Sequence, residues 1–203
     1  MKRRKLEILN KILLLFLFIS INLAAQEPEQ RLKTLQDKFE KINSLSVDIV
    51  QKSGGAEVLS GKLLYKKENK FHLDIKNNLI VSDGNSIWNF NKKENKIIIN
   101  TVDESDPSYF SFSTFVYEYP SQCYLSSEDN GEVLVLTPKA GSDLNFVKAK
   151  LWINKDDLVT RVELEGAGSD IEILFSNYRL NQSLADSRFI FSPPEGSTII
   201  DLR

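Results

Sequence analysis

Leu79-Ile80-Val81-Ser82-Asp83-Gly84-Asn85-Ser86-Ile87-Trp88-Asn89-Phe90-Asn91 decides the fold. An apolar run stops at Ser82, Asp83-Gly84-Asn85 reads as a turn, and a second strand carries Trp88 and Phe90. Gly supplies the positive φ that such turns demand, while Asp and Asn bond their own backbone there. Trp88 and Phe90 alternate with Ile87, Asn89 and Asn91, which places both large aromatics on one face of a sheet.

The same period of two extends outward from this hairpin. Leu45, Val47 and Ile49 alternate with Ser46, Asp48 and Val50. Beyond Gly54-Gly55, Leu59, Gly61, Leu63 and Tyr65 alternate with Ser60, Lys62, Leu64 and Lys66; past the Lys67-Glu68-Asn69 turn, Phe71, Leu73 and Ile75 alternate with Lys70, His72 and Asp74. One oily and one wet face per strand is the signature of an antiparallel meander. Lys96 to Val102 closes this half, and Asp103 to Pro107 is an acidic connector.

The second half repeats the pattern. Tyr124–Ser127 and Glu132–Pro138 are joined by Asp129-Asn130-Gly131, a hairpin signal. Val147, Ala149, Leu151 and Ile153 alternate with Phe146, Lys148, Lys150 and Trp152, which leaves Trp152 on the lysine face. Val162 and Leu164 oppose Arg161, Glu163 and Glu165; Ile171, Ile173 and Phe175 follow, and Thr198 to Leu202 is a last strand.

Two segments break this rhythm. Leu32, Leu35, Phe39 and Ile42 fall at helical spacing after Pro28, giving an amphipathic helix with one apolar stripe that must lie on something apolar. Between Ser108 and Tyr124, seven of seventeen residues are aromatic, against 10% for the whole chain. Phe112, Phe115, Val116 and Tyr119 sit at i, i+3, i+4 and i+7, which predicts a short helix ended by Pro120. Its aromatics make it either a contact surface or a permanently packed core helix.

Ahead of all this, Lys2 to Lys5 and the apolar Ile12 to Leu23 form an export signal over residues 1–25, with cleavage expected after Ala24-Ala25 and one domain over 26–203. Leu23 stands where a small residue is expected, so an uncleaved anchor is the alternative. No Cys adjoins the cleavage point to accept a lipid, which predicts a soluble mature protein. Five cations and one acid lie in the signal, so its loss moves the formal charge from −2 to −6. That balance disfavours nucleic acid and anionic membrane surfaces. Cys123 is the only cysteine, read as a small buried hydrophobe.

Catalytic chemistry finds little support. One histidine, His72, cannot build a His-rich metal site, and no GxSxG elbow or phosphate-cradling glycine loop is present. No catalytic residue, metal ligand or cofactor is assigned, and an enzyme on a β scaffold is the least favoured reading. Apolar binding remains. A sheet with one oily face must close, pack or be capped, because a large exposed apolar patch is a liability. Cargo bearing acyl chains fits such a site, since each exposed CH₂ costs about 0.8 kcal/mol in water.

Several segments now form an ordered set: Leu45–Lys52 (LSVDIVQK), Gly61-Lys62-Leu63 with Phe71, Ile80-Val81-Ser82-Asp83-Gly84 with Trp88, Leu136-Thr137-Pro138-Lys139, and Phe189-Ile190-Phe191-Ser192-Pro193-Pro194-Glu195-Gly196. In this order and spacing the chain resembles the periplasmic outer-membrane lipoprotein carrier family, LolA. The resemblance implies a mainly β (α+β) fold, an incomplete antiparallel β-barrel of about ten strands with a helical lid over an apolar cavity. It implies a periplasmic monomer that takes acylated lipoproteins from an inner-membrane ABC transporter and passes them towards the outer membrane and a receptor there. A glycolipid carrier, or an envelope lipid- or lipoprotein-sensing domain on the same fold, is the alternative.

Carried over by position, Phe71, Leu73, Trp88, Phe90, Val162, Leu164, Ile173 and Phe175 would line the cavity. Val47, Ile49, Leu63, Tyr65 and Ile75 share the apolar alternation and join them. Leu32, Leu35, Phe112 and Phe115 would sit on the lid, with Phe39 and Tyr119 on the same apolar stripes. Where the family has an Arg followed by Pro that gates the lid, this chain has Lys67 and Glu68. Lys67 keeps the charge without the rigid fork of donors, and is either a weaker gate or a turn lysine.

Overall fold

The computed structural model describes residues 27–102, 114–166, 168 and 170–203. The expected export signal, the expected acidic connector Asp103 to Pro107 and Phe112 lie outside them. Helix α1 (27–40) is followed by β1 (Ser44–Ser53), β2 (Ala56–Lys66), β3 (Lys70–Ile75), β4 (Asn78–Asp83), β5 (Ser86–Asn91) and β6 (Lys96–Thr101). A π-helical turn, Thr114–Glu118, runs into the short α2 (Tyr119–Ser121). Then come β7 (Cys123–Glu128), β8 (Val133–Pro138), β9 (Lys148–Ile153), β10 (Val159–Glu165), β11 (Ile171–Leu180) and β12 (Thr198–Asp201).

All twelve strands make one open sheet in the order β12-β6-β5-β4-β3-β2-β1-β11-β10-β9-β8-β7. About ten strands are expected and twelve lie among the described residues, where the two edges, β12 and β7, do not pair with each other. Neighbours are antiparallel except β12, which runs parallel to β6, Ile199 opposite Ile97. A parallel partner cannot follow by a tight hairpin. The chain reaches it through the long segment between Leu180 and Thr198.

The deciding hairpin forms as read. Gly84 has φ +99, and Asp83 Oδ1 accepts hydrogen bonds from the backbone N–H of Asn85 and Ser86, both at 2.8 Å. A β-carbon at position 84 would sit 2.4 Å from the Glu68 carbonyl oxygen, so the turn also needs glycine for space.

Two bulges re-aim side chains. Between Ser46 and Asp48 the β1–β11 register shifts, with Asn177 at φ +56 in the extra position. Phe175 and Tyr178, three residues apart, both belong to the core cluster as a result. A similar shift at Thr160 lets both Val159 and Val162 join that cluster.

One apolar cluster unites β3, β2, β1, β11, β10, β9, β8 and β7 with Leu35 of α1 and Phe115 and Val116. From β3 to β8 a flat sheet would span roughly 29 Å at the usual strand spacing, against about 10 Å for a helix. The sheet therefore has to curl for α1 and the short 114–121 segment to cover its inner face.

A second, smaller apolar core lies on the other face. Registers place Trp88 with Val81 and Ile99, and Phe90 with Leu79 and Ile97. The C-terminal segment crosses this side: Phe189 is 1% exposed, and the Phe191 ring lies 6.4 Å from Trp88 and 5.7 Å from Phe90.

Candidate functional site: the inner sheet face beneath helix α1

The strand registers decide which predicted residues meet. Val47 pairs with Leu63 and Leu63 with Leu73; Leu45 pairs with Tyr65 and Tyr65 with Phe71; Ile49 stands opposite both Gly61 and Phe175, Gly61 opposite Ile75, and Val162 opposite Ile173. Paired residues share a face. Together with Leu164, these predicted residues lie on the inner side in one continuous cluster. All are buried except Tyr65 and Phe71, which are half-buried.

Trp88 and Phe90 are a correction. Leu73 pairs with Ile80, and Ile80 with Asn89. The inner face therefore receives Asn89, while both aromatics project to the outer side. Alternation correctly grouped them together but could not say which face they took. The inner side of β4–β6 is largely polar (Asn78, Ser82, Asn89, Asn91, Asn100), whereas the outer side, with Val81, Ile97 and Ile99 beside the two aromatics, is apolar and is covered by Phe189 and Phe191.

Sequence reasoning missed part of the inner face. Leu134 and Leu136 of β8, opposite Leu151 and Ala149 of β9, are fully buried in the same cluster. Val133-Leu134-Val135-Leu136 is apolar throughout, so its pattern does not reveal which residues point inward. Trp152, the misfit on the lysine face, has the Arg161 guanidinium 4.4 Å from its ring centroid, a cation–π contact across the β9–β10 pair.

Helix α1 covers this face. Leu35 is buried, Leu32 and Phe39 pack partly buried against the cluster, and Ile42 seals the junction with β1. Phe39 approaches the rings of Tyr65 and Tyr117, each at 6.1 Å between centroids. Phe115 meets Tyr119 edge-on at 5.4 Å, and Tyr119 meets Phe146 at 5.1 Å. The expected ending at Pro120 is revised: Pro120 lies in the first turn of α2, where its missing N–H costs nothing. The α1 helix and this aromatic segment are joined by Gln36 Nε2 donating to the Val116 carbonyl at 3.0 Å, and by the Tyr117 hydroxyl donating to the Gln36 carbonyl at 3.4 Å.

Polar contacts fasten both ends of α1. At the C-terminal end, Lys67 Nζ donates to the Glu40 carbonyl at 2.8 Å and Asn181 Nδ2 to the Lys41 carbonyl at 3.3 Å. A cation there also complements the negative end of the helix dipole. Near the N-terminal end, Arg31 Nη1 donates to Asp157 Oδ1 at 2.6 Å, and Nη2 to the carbonyls of Ile153 and Asn154 at 3.2 and 3.1 Å. Arg31 and Asp157 lie 126 residues apart, and nothing in their local sequence announces the pair.

Among the described residues the cleft directly beneath α1 is small. Leu35, Phe39, Val116, Val159 and Tyr178 enclose an apolar cleft of about 20 Å³, near the volume that one water occupies. The Tyr178 hydroxyl donates to the Val159 carbonyl at 2.6 Å, and burial pushes its ionisation up. Burial likewise raises Tyr65, Tyr117 and Tyr119. Cys123 is buried in the same cluster, and burial raises its thiol against the opposing pull of Lys139. His72 lies on the outer side, its Nδ1 2.9 Å from the Arg188 carbonyl oxygen. Among the described residues no group of three or more His, Cys, Asp or Glu could hold a metal ion, and no helix is long and apolar enough to cross a membrane.

The family described as outer membrane lipoprotein carrier protein LolA matches residues 40–192. The chain belongs to that family. An outer-membrane lipoprotein carrier protein of Actinobacillus pleuropneumoniae is 27% identical, over 97% of this chain and 96% of its own length. An uncharacterized protein of Methanocaldococcus jannaschii is 24% identical over 93% of this chain, which spans 59% of that relative's length. An uncharacterized conserved protein from Thermus thermophilus superposes with a TM-score of 0.56 at 13% identity, covering 88% of this chain and 99% of that one; the likeness establishes the fold alone.

Proposed function

We propose that the protein is a non-enzymatic periplasmic carrier that shelters the acyl chains of lipoproteins against the inner sheet face, under α1, and moves them from the inner towards the outer membrane. One observation carries this reading: among the described residues, an apolar face running from β3 to β8 is covered by α1 and the short 114–121 segment, and α1 buries only a few side chains against it.

The energetics permit the exchange. Uncovering Leu35 fully, and Leu32 and Phe39 from a half-buried state, costs about 3–6 kcal/mol. A sixteen-carbon chain withdrawn from water gains on the order of 10 kcal/mol. A single acyl chain thus offsets displacement of the cover, and a lipoprotein carries more than one. The cleft of about 20 Å³ beneath α1 is far smaller than an acyl chain, so uptake at this place means that α1 moves and acyl methylenes replace its side chains on the same surface.

The donor in this reading is an inner-membrane lipoprotein-releasing ABC transporter, and the recipient an outer-membrane receptor or the membrane itself. Lys67, which bonds the last turn of α1, acts as part of the closure. Lipid extraction and mass spectrometry of protein purified without detergent from a periplasmic fraction test the proposal. Stoichiometric acylated protein is the expected finding. Bound glycolipid in its place would transfer the site to a different cargo, and an empty protein that refuses synthetic lipopeptide would overturn the carrier reading.

A further inference from the structure

We infer that Arg31 is the release latch of α1: the helix opens by swinging its N-terminal end away from the β9–β10 turn, while its C-terminal end stays in place as the hinge. The inference rests on the carrier reading and specifies which end of the cover admits ligand.

The two ends are fastened in different ways. The C-terminal end continues through Lys41, Ile42 and Asn43 directly into β1, so it cannot leave the sheet. Backbone bonds reinforce it: Lys67 N–H donates to the Asn43 carbonyl at 2.9 Å and Asn181 N–H to the Ser44 carbonyl at 2.7 Å. Side chains add to these, with Asn43 N–H donating to Asn181 Oδ1 at 2.7 Å and Ser44 Oγ to the Gln182 carbonyl at 2.6 Å. Ile42 is buried there.

In the N-terminal half, Pro28 is buried and Leu32 and Leu35 pack on the sheet, while the polar fastening among the described residues comes from Arg31. Arg31 places its three donor contacts on the Ile153–Asp157 turn, a carboxylate and two carbonyls. The guanidinium fork suits a carboxylate with adjacent carbonyls better than a lysine would. The contact is partly open to water, with the Arg31 and Asp157 side chains 22% and 31% exposed, so solvent can replace it without backbone rearrangement. Asp157 and Leu158 also wall the apolar cleft under Leu35 and Phe39. Breaking this one contact opens that wall. The remaining bonds of mid-helix, Gln36 with Val116 and Tyr117, lead to the aromatic segment and not to the sheet.

Double electron–electron resonance on two spin-labelled pairs tests the latch in a Cys123→Ala background. The pair Glu29→Cys with Lys155→Cys reports the N-terminal end, and Lys41→Cys with Glu68→Cys the C-terminal end. Arg31→Met removes the latch and keeps an unbranched stem. Asp157→Asn removes only the charge, and suits φ +60 at that turn because Asn tolerates left-handed backbone. Both variants are expected to add a longer distance at the first pair and to leave the second unchanged. In parallel, association of 1-pyrenedodecanoic acid should quicken about tenfold, as for loss of one charge-assisted contact. An unchanged first pair in both variants, or widening at the second pair, overturns the latch. Widening with no pyrene uptake by any form keeps the latch and removes the carrier reading. Uptake at the wild-type rate without widening does the reverse.

Discussion

Leu35→Ala separates a movable cover from a permanent core helix. Leu35 is 3% exposed, at the centre of the contact between α1 and the inner face. Truncating such a leucine costs about 2–5 kcal/mol in the closed state. The opening of α1 costs only about 3–6 kcal/mol in the wild type, so the substitution removes much of what keeps the helix down. Native-state hydrogen exchange should show the α1 amides opening below the global free energy, and about 30-fold or more faster in the variant. Amides of Leu134 and Leu151, whose side chains are wholly buried, should exchange at the global level throughout. The same variant should bind 1-pyrenedodecanoic acid more tightly, because a larger fraction of molecules is competent to bind. Exchange of α1 and Leu151 at one common free energy in the wild type would refute the reasoning. So would a probe affinity that falls in step with stability.

Lys67→Met should speed exchange of the last α1 turn severalfold and leave the Leu151 amide unchanged, while Lys67→Arg should slow it through added donors. Phe189→Ala should lower stability by about 3–5 kcal/mol in urea denaturation and leave pyrene-probe affinity intact, because Phe189 fills the outer core with Phe191 and Trp88. Acid should weaken the fold. Hydrogen bonds from Lys62, Lys52, Lys66 and Arg203 hold Asp48, Glu172, Asp186 and Asp201 below their ordinary values of 3.8 to 4.5, Asp201 to about 2. Their stabilisation is present above the unfolded values and is lost as pH falls through the folded ones, so urea midpoints should drop from about pH 4.5 downward and hold level from pH 5 to 7. At the other extreme, burial raises Tyr65, Tyr117 and Tyr119 above 10.0. Protonated phenols are then favoured in the fold, and pyrene uptake should accelerate as pH rises past 10.

What the sequence disclosed follows physical locality. Alternation such as Leu45, Val47 and Ile49 against Ser46 and Asp48 identifies a strand and its apolar side, because neighbours in sequence settle it. The Asp83-Gly84-Asn85 turn is equally local. Trp88 and Phe90 failed on a different ground: their face depends on Phe189 and Phe191, a hundred residues away, which supply an apolar cover where water was assumed. Val133 to Leu136 carries no alternation, so β8 gave no sign of its inward residues. The Arg31–Asp157 contact joins two ordinary surface residues through the fold, and no spacing rule reports it. Lys67 was a candidate only through the family resemblance at the turn after β2, and the fold brings its Nζ to the Glu40 carbonyl at the end of α1.

The central claim is that acyl chains occupy the inner face under α1. Intermolecular NOEs between a synthetic triacylated lipopeptide with ¹³C-labelled acyl chains and the protein's methyl groups test it most directly. The account predicts contacts from acyl methylenes to Leu35, Val116, Val159 and Ile173, and none to Val81 or Ile97 in the outer core. Contacts confined to the outer core or to the exposed β12 edge at Ile199 and Ile200, with the Leu35 and Ile173 methyls untouched, would contradict it.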